Sequence, residues 1–310
     1  MMIEPSILVI GSANMDMVVR TGTFPSPGQT VFGNDFKAYP GGKGANQAVG
    51  VARLGGRCRF LGRVGNDDFG RSLKQSIASE GVNVDHLMLT EGIPTGTAMI
   101  VVDSKGENSI IVSSGANFAL TPDDIFGNEE LFQKSAVVLI QLEIPLPTVR
   151  AAIDLAHRHN ARIILDPAPV PKKFPSEMYL VDIISPNAGE AEALTGKLLV
   201  EERVAKQVAM EFIERGSKSA VVKLGSRGSL VVTSDGHFFH VPPFKVDVVD
   251  STAAGDAFTA GLGVAYAKGL PLREAVVFAN AAGALTCTKF GAQPAIPTAL
   301  DVQMLMRDQK

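Results

Sequence analysis

Little in this sequence points outside the cell or into a membrane. Its two cysteines, Cys58 and Cys287, are too few for a disulfide framework and lack the CxxC spacing of a zinc or redox site, so they read as small buried hydrophobes. No apolar run approaches the roughly 18 residues of a membrane helix, and no basic segment leading into an apolar one opens the chain, so a soluble, cytoplasmic protein is expected. An excess of one charge is missing too. The 29 basic and 32 acidic residues leave a net charge of −3, which offers no field for a polyanion or an anionic membrane and excludes nucleic acid and membrane as expected partners. Internal repeats and low-complexity tracts are absent. So is GxxxxGK(S/T), which excludes an ordinary P-loop, and GRVGNDDFG is too loosely spaced for the GxGxxG dinucleotide fingerprint. His157 and His159 lie two apart near a helix end, off a shared face, and carry no metal assignment.

What remains is ample material for a core: 45% of the 310 residues are apolar and 20% charged, an ordinary globular balance. Short apolar runs alternate with helical patterns: Ile7 to Ile10, Arg59 to Gly62 then Asp68 to Ser79, and Val137 to Ile140 then Pro147 to His157. Arg162 to Leu165, Val181 to Ile184 then Ala188 to Leu194, Glu202 to Glu214 then Ala220 to Leu224 continue the series. Such alternation predicts βαβ units and a doubly wound, mainly parallel sheet with helices on both faces. Two further strand pairs, within 14–40 and 96–114, surround polar turns and predict a small antiparallel β-sheet lid on a single α/β domain spanning 1–310. Gly255 to Lys268 and Leu272 to Cys287 read as helices rich in small residues.

In open α/β sheets ligands bind beyond the carboxyl ends of the strands, so polar residues following each apolar run are the candidates. In VVDSTAAGDAF, a strand ending near Val249 is expected to turn through small residues into a helix opening at Gly255 and Asp256. Free amides from Ala253 through Ala254 and Gly255 to Asp256 can cradle a phosphate, and Asp256 can accept the proton of an attacking hydroxyl. The plainer alternative is a carboxylate that complements the helix dipole. In GGKGANQAV, Lys43 and Asn46 are three apart on a helix face and can converge on sugar hydroxyls, with Gly41, Gly42 and Gly44 admitting the ligand to the backbone. A flexible loop with an Asn-stabilised first turn is the alternative. Asn14 and Asp16 point to one side if extended and suit vicinal hydroxyls, and Glu143 follows an apolar run in the same way. Asn187 and Glu190 have capping-box spacing, and the same pair can order Mg²⁺ waters and phosphate oxygens. In KLGSRGSL, Gly225 and Gly228 interrupt two strand-like runs and form a β-turn that exposes backbone to a neighbouring ligand.

In this order, GSANMDMVV, FPSPGQTV, GGKGANQAVG, SSGANFAL, LIQLEIP, DPAP, PNAGEAEALTG, KLGSRG, VVDSTAAGDAF and GAQPAIP resemble the ribokinase-like family of carbohydrate kinases and, within it, the ribokinases, over almost the whole chain. The resemblance implies ATP-dependent phosphorylation of D-ribose at its 5-hydroxyl, with Asp256 as the catalytic base and Asn14, Asp16, Gly42, Lys43, Asn46 and Glu143 on the sugar. It implies a nucleotide and Mg²⁺ site at Asn187, Glu190, Lys223, Gly225, Ser226, Gly228, Ala254, Gly255 and Asn280. It further implies K⁺ at Asp250, Thr252, Thr286, Lys289, Gly291 and Ala295, and a homodimer formed through the lid. Two positions depart from the family pattern: Lys223 stands where some ribokinases have a threonine that contacts the nucleotide, and Ala295 where some relatives have serine. A kinase for deoxyribose or another small sugar is one rival. A non-catalytic sugar-binding regulator is another, although such a protein is expected to lose the base or the anion hole, and both motifs are intact.

Overall fold

The computed structural model describes residues 6–309. From the amino end, β1 (Ser6–Ile10) leads into β2 (Asn14–Thr21) and β3 (Gly33–Gly41), then α1 (Lys43–Arg53), β4 (Arg57–Gly65), α2 (Asp68–Ser79) and β5 (Leu87–Thr90). After β6 (Gly96–Val102) and β7 (Asn108–Ser113) come α3 (Pro122–Phe126), α4 (Glu129–Gln133), β8 (Val137–Ile140), α5 (Leu146–Arg158), β9 (Arg162–Leu165) and β10 (Ile183–Ile184). The remainder holds α6 (Ala188–Thr195), α7 (Glu202–Glu214), β11 (Ser219–Lys223), β12 (Ser229–Thr233), β13 (Phe238–Val241), α8 (Ala254–Ala267), α9 (Leu272–Thr286) and α10 (Ala299–Asp308).

Nine strands form the main sheet in the order β13-β12-β11-β10-β9-β8-β1-β4-β5. All neighbours from β11 to β5 run parallel, and only the β12 and β13 edge is antiparallel. Because side chains alternate along a strand, β1 feeds two cores at once. Ile7 and Val9 pack with Val137, Leu139 and the α1, α8 and α9 residues Val49, Leu262 and Val276. Leu8 and Ile10 pack with Val138, Ile140 and the α5 and α7 residues Ile153 and Phe212. A strand covered on both faces must be apolar throughout, which is why these runs do not alternate in polarity. In α7 one face is buried, through Ala205, Val208, Ala209 and Phe212.

The chain moves from β1 to β4 and β5 on one side and returns to β8 on the other, so the winding reverses between β1 and β8. A crevice opens beyond their carboxyl ends at such a reversal. Ser12, Gln141 and Glu143 lie there, with Asp166, Asn187 and Lys223 at the corresponding ends of β9, β10 and β11.

The second sheet has the order β3-β2-β6-β7. Its two outer pairs are antiparallel, as expected, and the join between them, β2 with β6, is parallel. Met17 pairs with Met99, Met99 with Ile111, and Val19 with Phe36, which places these apolar residues on the face opposite Asp16.

The expected strand ending near Val249 does not form. Residues 242–250 are irregular, since Pro242 and Pro243 lack the amide protons a ladder requires, and Val249 N donates instead to Cys287 O at 2.8 Å. β3 starts at Gly33 and continues to Gly41, one residue past the expected 14–40 segment and close to the start of α1. Phe60, on β4, is among the largest fully buried side chains. Phe60→Ala should cost about 3–5 kcal/mol of stability in urea unfolding, whereas a cost below about 1 kcal/mol would contradict this packing.

Candidate active site

The first turn of α1 is set against the β1–β2 junction by glycines. Gly42 has φ 88°, and a Cβ there would lie 2.7 Å from Asn14 N. A Cβ on Gly44 would lie 2.6 Å from Ser12 N, and one on Gly41 would fall inside the Asp16 carboxylate. The glycines thus admit the protein's own backbone, which brings Lys43 and Asn46 up to the residues following β1. Glu143 fastens the arrangement: its Oε2 accepts from Ser12 Oγ at 2.5 Å and from Lys43 N at 3.1 Å. Asn14 Oδ1 accepts from Asn117 Nδ2 at 2.7 Å, and Asn117 Oδ1 accepts from Ala13 N at 2.9 Å.

Asp256 occupies the first turn of α8, whose cap residue Ala253 takes the left-handed conformation with φ 59°. The Asp256 side chain caps nothing there. It turns inward, 5% exposed, where Asn46 Nδ2 donates to Oδ2 at 3.0 Å and Gln47 Nε2 donates to Oδ1 at 3.2 Å. Gln47 Nε2 also donates to Asp166 Oδ2 at 3.0 Å, and Lys223 Nζ donates to Asp166 Oδ1 at 2.9 Å. Gln141 Nε2 completes the row by donating to Gln47 Oε1 at 2.5 Å. Asn46 Oδ1 is buried with no hydrogen-bond partner among the described residues, although the same side chain holds Asp256 through Nδ2.

Burial, with smaller contributions from Glu143 and Asp256, raises Asp16 to about 7. Burial also raises Asp256, to about 6; Lys43 opposes that shift, Asp166 adds to it, and the Asn46 and Gln47 hydrogen bonds oppose it. Desolvation works against the Lys43 charge, but Asp256, Asp166, Glu143 and Glu190 outweigh it and hold the ammonium above its ordinary range. The site therefore joins an inward carboxylate, an amide-lined helix start and the Lys43 ammonium, the parts needed to deprotonate a hydroxyl and to steady a migrating anion.

Asn187 and Glu190 do form the capping box. Asn187 Oδ1 accepts from Glu190 N at 2.8 Å, and the Glu190 oxygens accept from Asn187 N and Nδ2 at 2.7 Å each. The pair still belongs to the site electrostatically: burial raises Glu190, Lys223 lowers it and Asp166 raises it. Gly225 and Gly228 take φ 60° and 80° in a tight turn around exposed Ser226, and a Cβ on Gly228 would meet the Val241 carbonyl. Asn280 is engaged structurally, accepting from Ser229 Oγ at 2.7 Å and donating to the carbonyls of Val241 and Pro242. Ala254 and Gly255 form the start of α8.

Of the expected cation residues, Asp250, Thr252 and Gly291 meet. Asp250 Oδ1 accepts from Thr252 N and Oγ1, and Oδ2 accepts from Gly291 N at 2.9 Å. Burial opposes ionisation of Asp250, but the Gly291 and Thr252 hydrogen bonds hold it below the ordinary carboxylate range. Thr286 closes α9, and its carbonyl accepts only a long bond of 3.5 Å from Lys289 N. Ala295 is buried in a short turn whose neighbours Gln293 and Ile296 are tied by their carbonyls to Arg53, itself clamped by Glu80. An ionised carboxylate and the weakly bonded Thr286 carbonyl are oxygen donors of the kind a hard cation takes.

Sequence reasoning passed over Ser12, Gln47, Asn117, Gln141 and Asp166. Asp166 follows the apolar run Arg162 to Leu165 just as Glu143 follows its own strand, so the same positional rule reaches it.

A sequence model described as pfkB family carbohydrate kinase matches residues 4–299. A bifunctional ribokinase/ribose-5-phosphate isomerase A of Fructilactobacillus sanfranciscensis is 40% identical across 94% of this chain, which spans 54% of that longer protein. A ribokinase of Bacillus subtilis is 38% identical, across 97% of this chain and 99% of its own length. Among solved structures, Arabidopsis thaliana ribokinase complexed with ribose and ATP superposes with a TM-score of 0.92 at 32% identity, covering 98% of this chain and 99% of that one.

The raised carboxylates also tie stability to pH. Their folded values of about 7 and about 6 lie above the ordinary 3.8, so their share of stability is full below that value and is lost as pH rises through 6 and 7. Ligand-free protein should melt at a higher temperature at pH 5.5 than at pH 8, and Asp256→Asn should shrink the difference. Equal melting temperatures for the wild type at both pH values would show that these groups do not titrate as described.

Proposed function

The chain belongs to the pfkB family of carbohydrate kinases, and on that premise we propose that it transfers the terminal phosphoryl group of ATP to the 5-hydroxyl of D-ribose. The observation that carries this reading is Asp256, a carboxylate buried in the first turn of α8 and held by Asn46 and Gln47. The sugar hydroxyl attacks the terminal phosphorus as its bond to the bridging oxygen breaks, ADP leaves with that electron pair, and Asp256 takes the hydroxyl proton. The amides of the turn from Ala253 to Asp256, apart from that of Ala254, which donates to Ser251 O at 3.2 Å, stabilise charge on the phosphoryl oxygens. Asn14, Asp16, Gly42, Lys43, Asn46 and Glu143 bind the sugar, with the partnerless Asn46 Oδ1 accepting from one of its hydroxyls. The turn from Lys223 to Gly228 and Asn280 border the nucleotide.

Asn187 and Glu190 would hold Mg²⁺ through its waters, and the ion would neutralise charge on the phosphates. The Asp250 cluster would hold K⁺ with Thr252, Thr286, Lys289, Gly291 and Ala295, tightening the loop that precedes α8. The lid sheet covers the sugar and excludes water, limiting ATP hydrolysis. Its outer face exposes Phe36, Met99 and Ile111, which supports pairing of two lids into a homodimer. Among the described residues no helix is long and apolar enough to cross a membrane, and the two free thiols suit the cytoplasm, where we place the enzyme.

The test is ADP release with ATP and Mg²⁺ on D-ribose, 2-deoxyribose and fructose, each in sodium or potassium. Fast, potassium-stimulated release with ribose is expected. A preference for another sugar would move the substrate, and silence with all three would favour a regulator. Asp256→Asn should lower turnover by roughly 10²–10⁴, and a variant keeping half its rate would remove Asp256 from the chemistry. Ile111→Asp should convert a dimer to monomer by light scattering; an unchanged mass would mean the lid face is not the interface.

A further inference from the structure

Lys223 is not explained by the reaction as written. It ends β11 with its side chain buried, and its ammonium donates to Asp166 Oδ1 at 2.9 Å. A buried ion pair of this kind is weak support for a fold, since desolvating both charges offsets most of their attraction. Its position matters more. A Cβ on Gly255 would lie 3.7 Å from Lys223 Nζ, so the ammonium hangs over the first turn of α8, one residue before Asp256. The backbone of Lys223 is bridged to Asn187 and its N–H donates to Pro186 O at 2.9 Å, which joins it to the cap that Glu190 closes. The Phe258 ring, one turn along α8, lies with its centroid 5.9 Å from Nζ. The lysine thus stands between the strand-end carboxylate and the amides that face the migrating group.

From this arrangement we infer that Lys223 acts in the transfer step: its ammonium swings from Asp166 to the oxygens of the terminal phosphoryl group and stabilises the charge there as the group passes to the sugar. Asp166 is the positioning residue, holding Lys223 through one oxygen and Gln47 through the other, so the swing leaves it hydrogen-bonded to an amide that also holds Asp256. Gly255 leaves the route open because it has no side chain to stand between the ammonium and the helix amides. The bond changes are those of the kinase reaction already given, on which this inference rests, and Lys223 neither gains nor loses a proton.

An ammonium that reaches only the terminal phosphoryl group must distinguish a nucleoside triphosphate from a diphosphate. Isothermal titration with Mg²⁺, ribose and either ADP or the β,γ-imido analogue of ATP measures that distinction. Lys223→Met should lose about 10–100-fold in affinity for the triphosphate analogue, the scale of a hydrogen bond to a charged group, while ADP affinity changes less than about threefold and kcat falls. The double variant Lys223→Met/Asp166→Asn removes the stranded carboxylate and should give the same split, which keeps the comparison readable if the single variant folds poorly. Equal losses on both nucleotides, or no loss on either, would make the pair with Asp166 structural and overturn the inference while leaving the kinase reading intact. A wild-type protein that binds neither nucleotide would overturn both.

Discussion

At the carboxyl edge of the main sheet, Asp16, Glu143, Asp166, Glu190 and Asp256 share the ammonium groups of Lys43 and Lys223. The other features of the site depend on this imbalance. Coulomb energy between charges a few ångströms apart grows as water is excluded, so ionising every carboxylate in so small a volume is costly. Burial, with smaller contributions from neighbouring carboxylates, raises Asp16 and Asp256, and the Lys43 ammonium is retained because four carboxylates outweigh its desolvation. A base that ionises near neutral pH, in the first turn of a helix whose amides favour anions, follows from that burial.

The fold creates the crowding by two means. Parallel winding brings the ends of β1, β8, β9, β10 and β11 into one row, so residues as distant in sequence as Ser12 and Glu143 become hydrogen-bonded partners. Close backbone approach does the rest, since Gly42 and Gly44 let the first turn of α1 lie against residues 11–14 with no room for a Cβ. Lys43, Asn46 and Gln47 thereby come from one helix turn to three strand ends. The placement of the Asp256 carboxylate rests on the side-chain amides of Asn46 and Gln47, because its own helix gives it no side-chain partner.

Much of this was legible in the sequence. Helix and strand period identified β1, β8, β9, α2 and α7, because strands buried on both faces and helices with one apolar stripe carry distinct patterns. Asp256, Asn46 and Glu143 were legible because each follows an apolar run or a glycine-marked helix start. Less legible were features that depend on pairing between distant segments. The parallel join of β2 with β6 leaves no local trace, since alternation is the same in either direction. The irregular path from 242 to 250 was misread from its valines, although Pro242 and Pro243 deny it a ladder. Gln47 is visible only in the structure: a glutamine inside a helix looks ordinary until the sheet brings it to 3.0 Å from Asp166, the strand-end residue that position alone reaches. The cap at Asn187 shows that a structural role and a place beside the site can coincide in one motif.

The account turns on Asp256 being a base poised near neutrality by burial. The pH dependence of kcat/KM for ribose tests it most directly, because that ratio reports the ionising groups of the free enzyme. The account predicts a rising limb between about pH 5 and 7 that belongs to the coupled carboxylates Asp16 and Asp256. A rate constant flat from pH 8 down to pH 5 would contradict it.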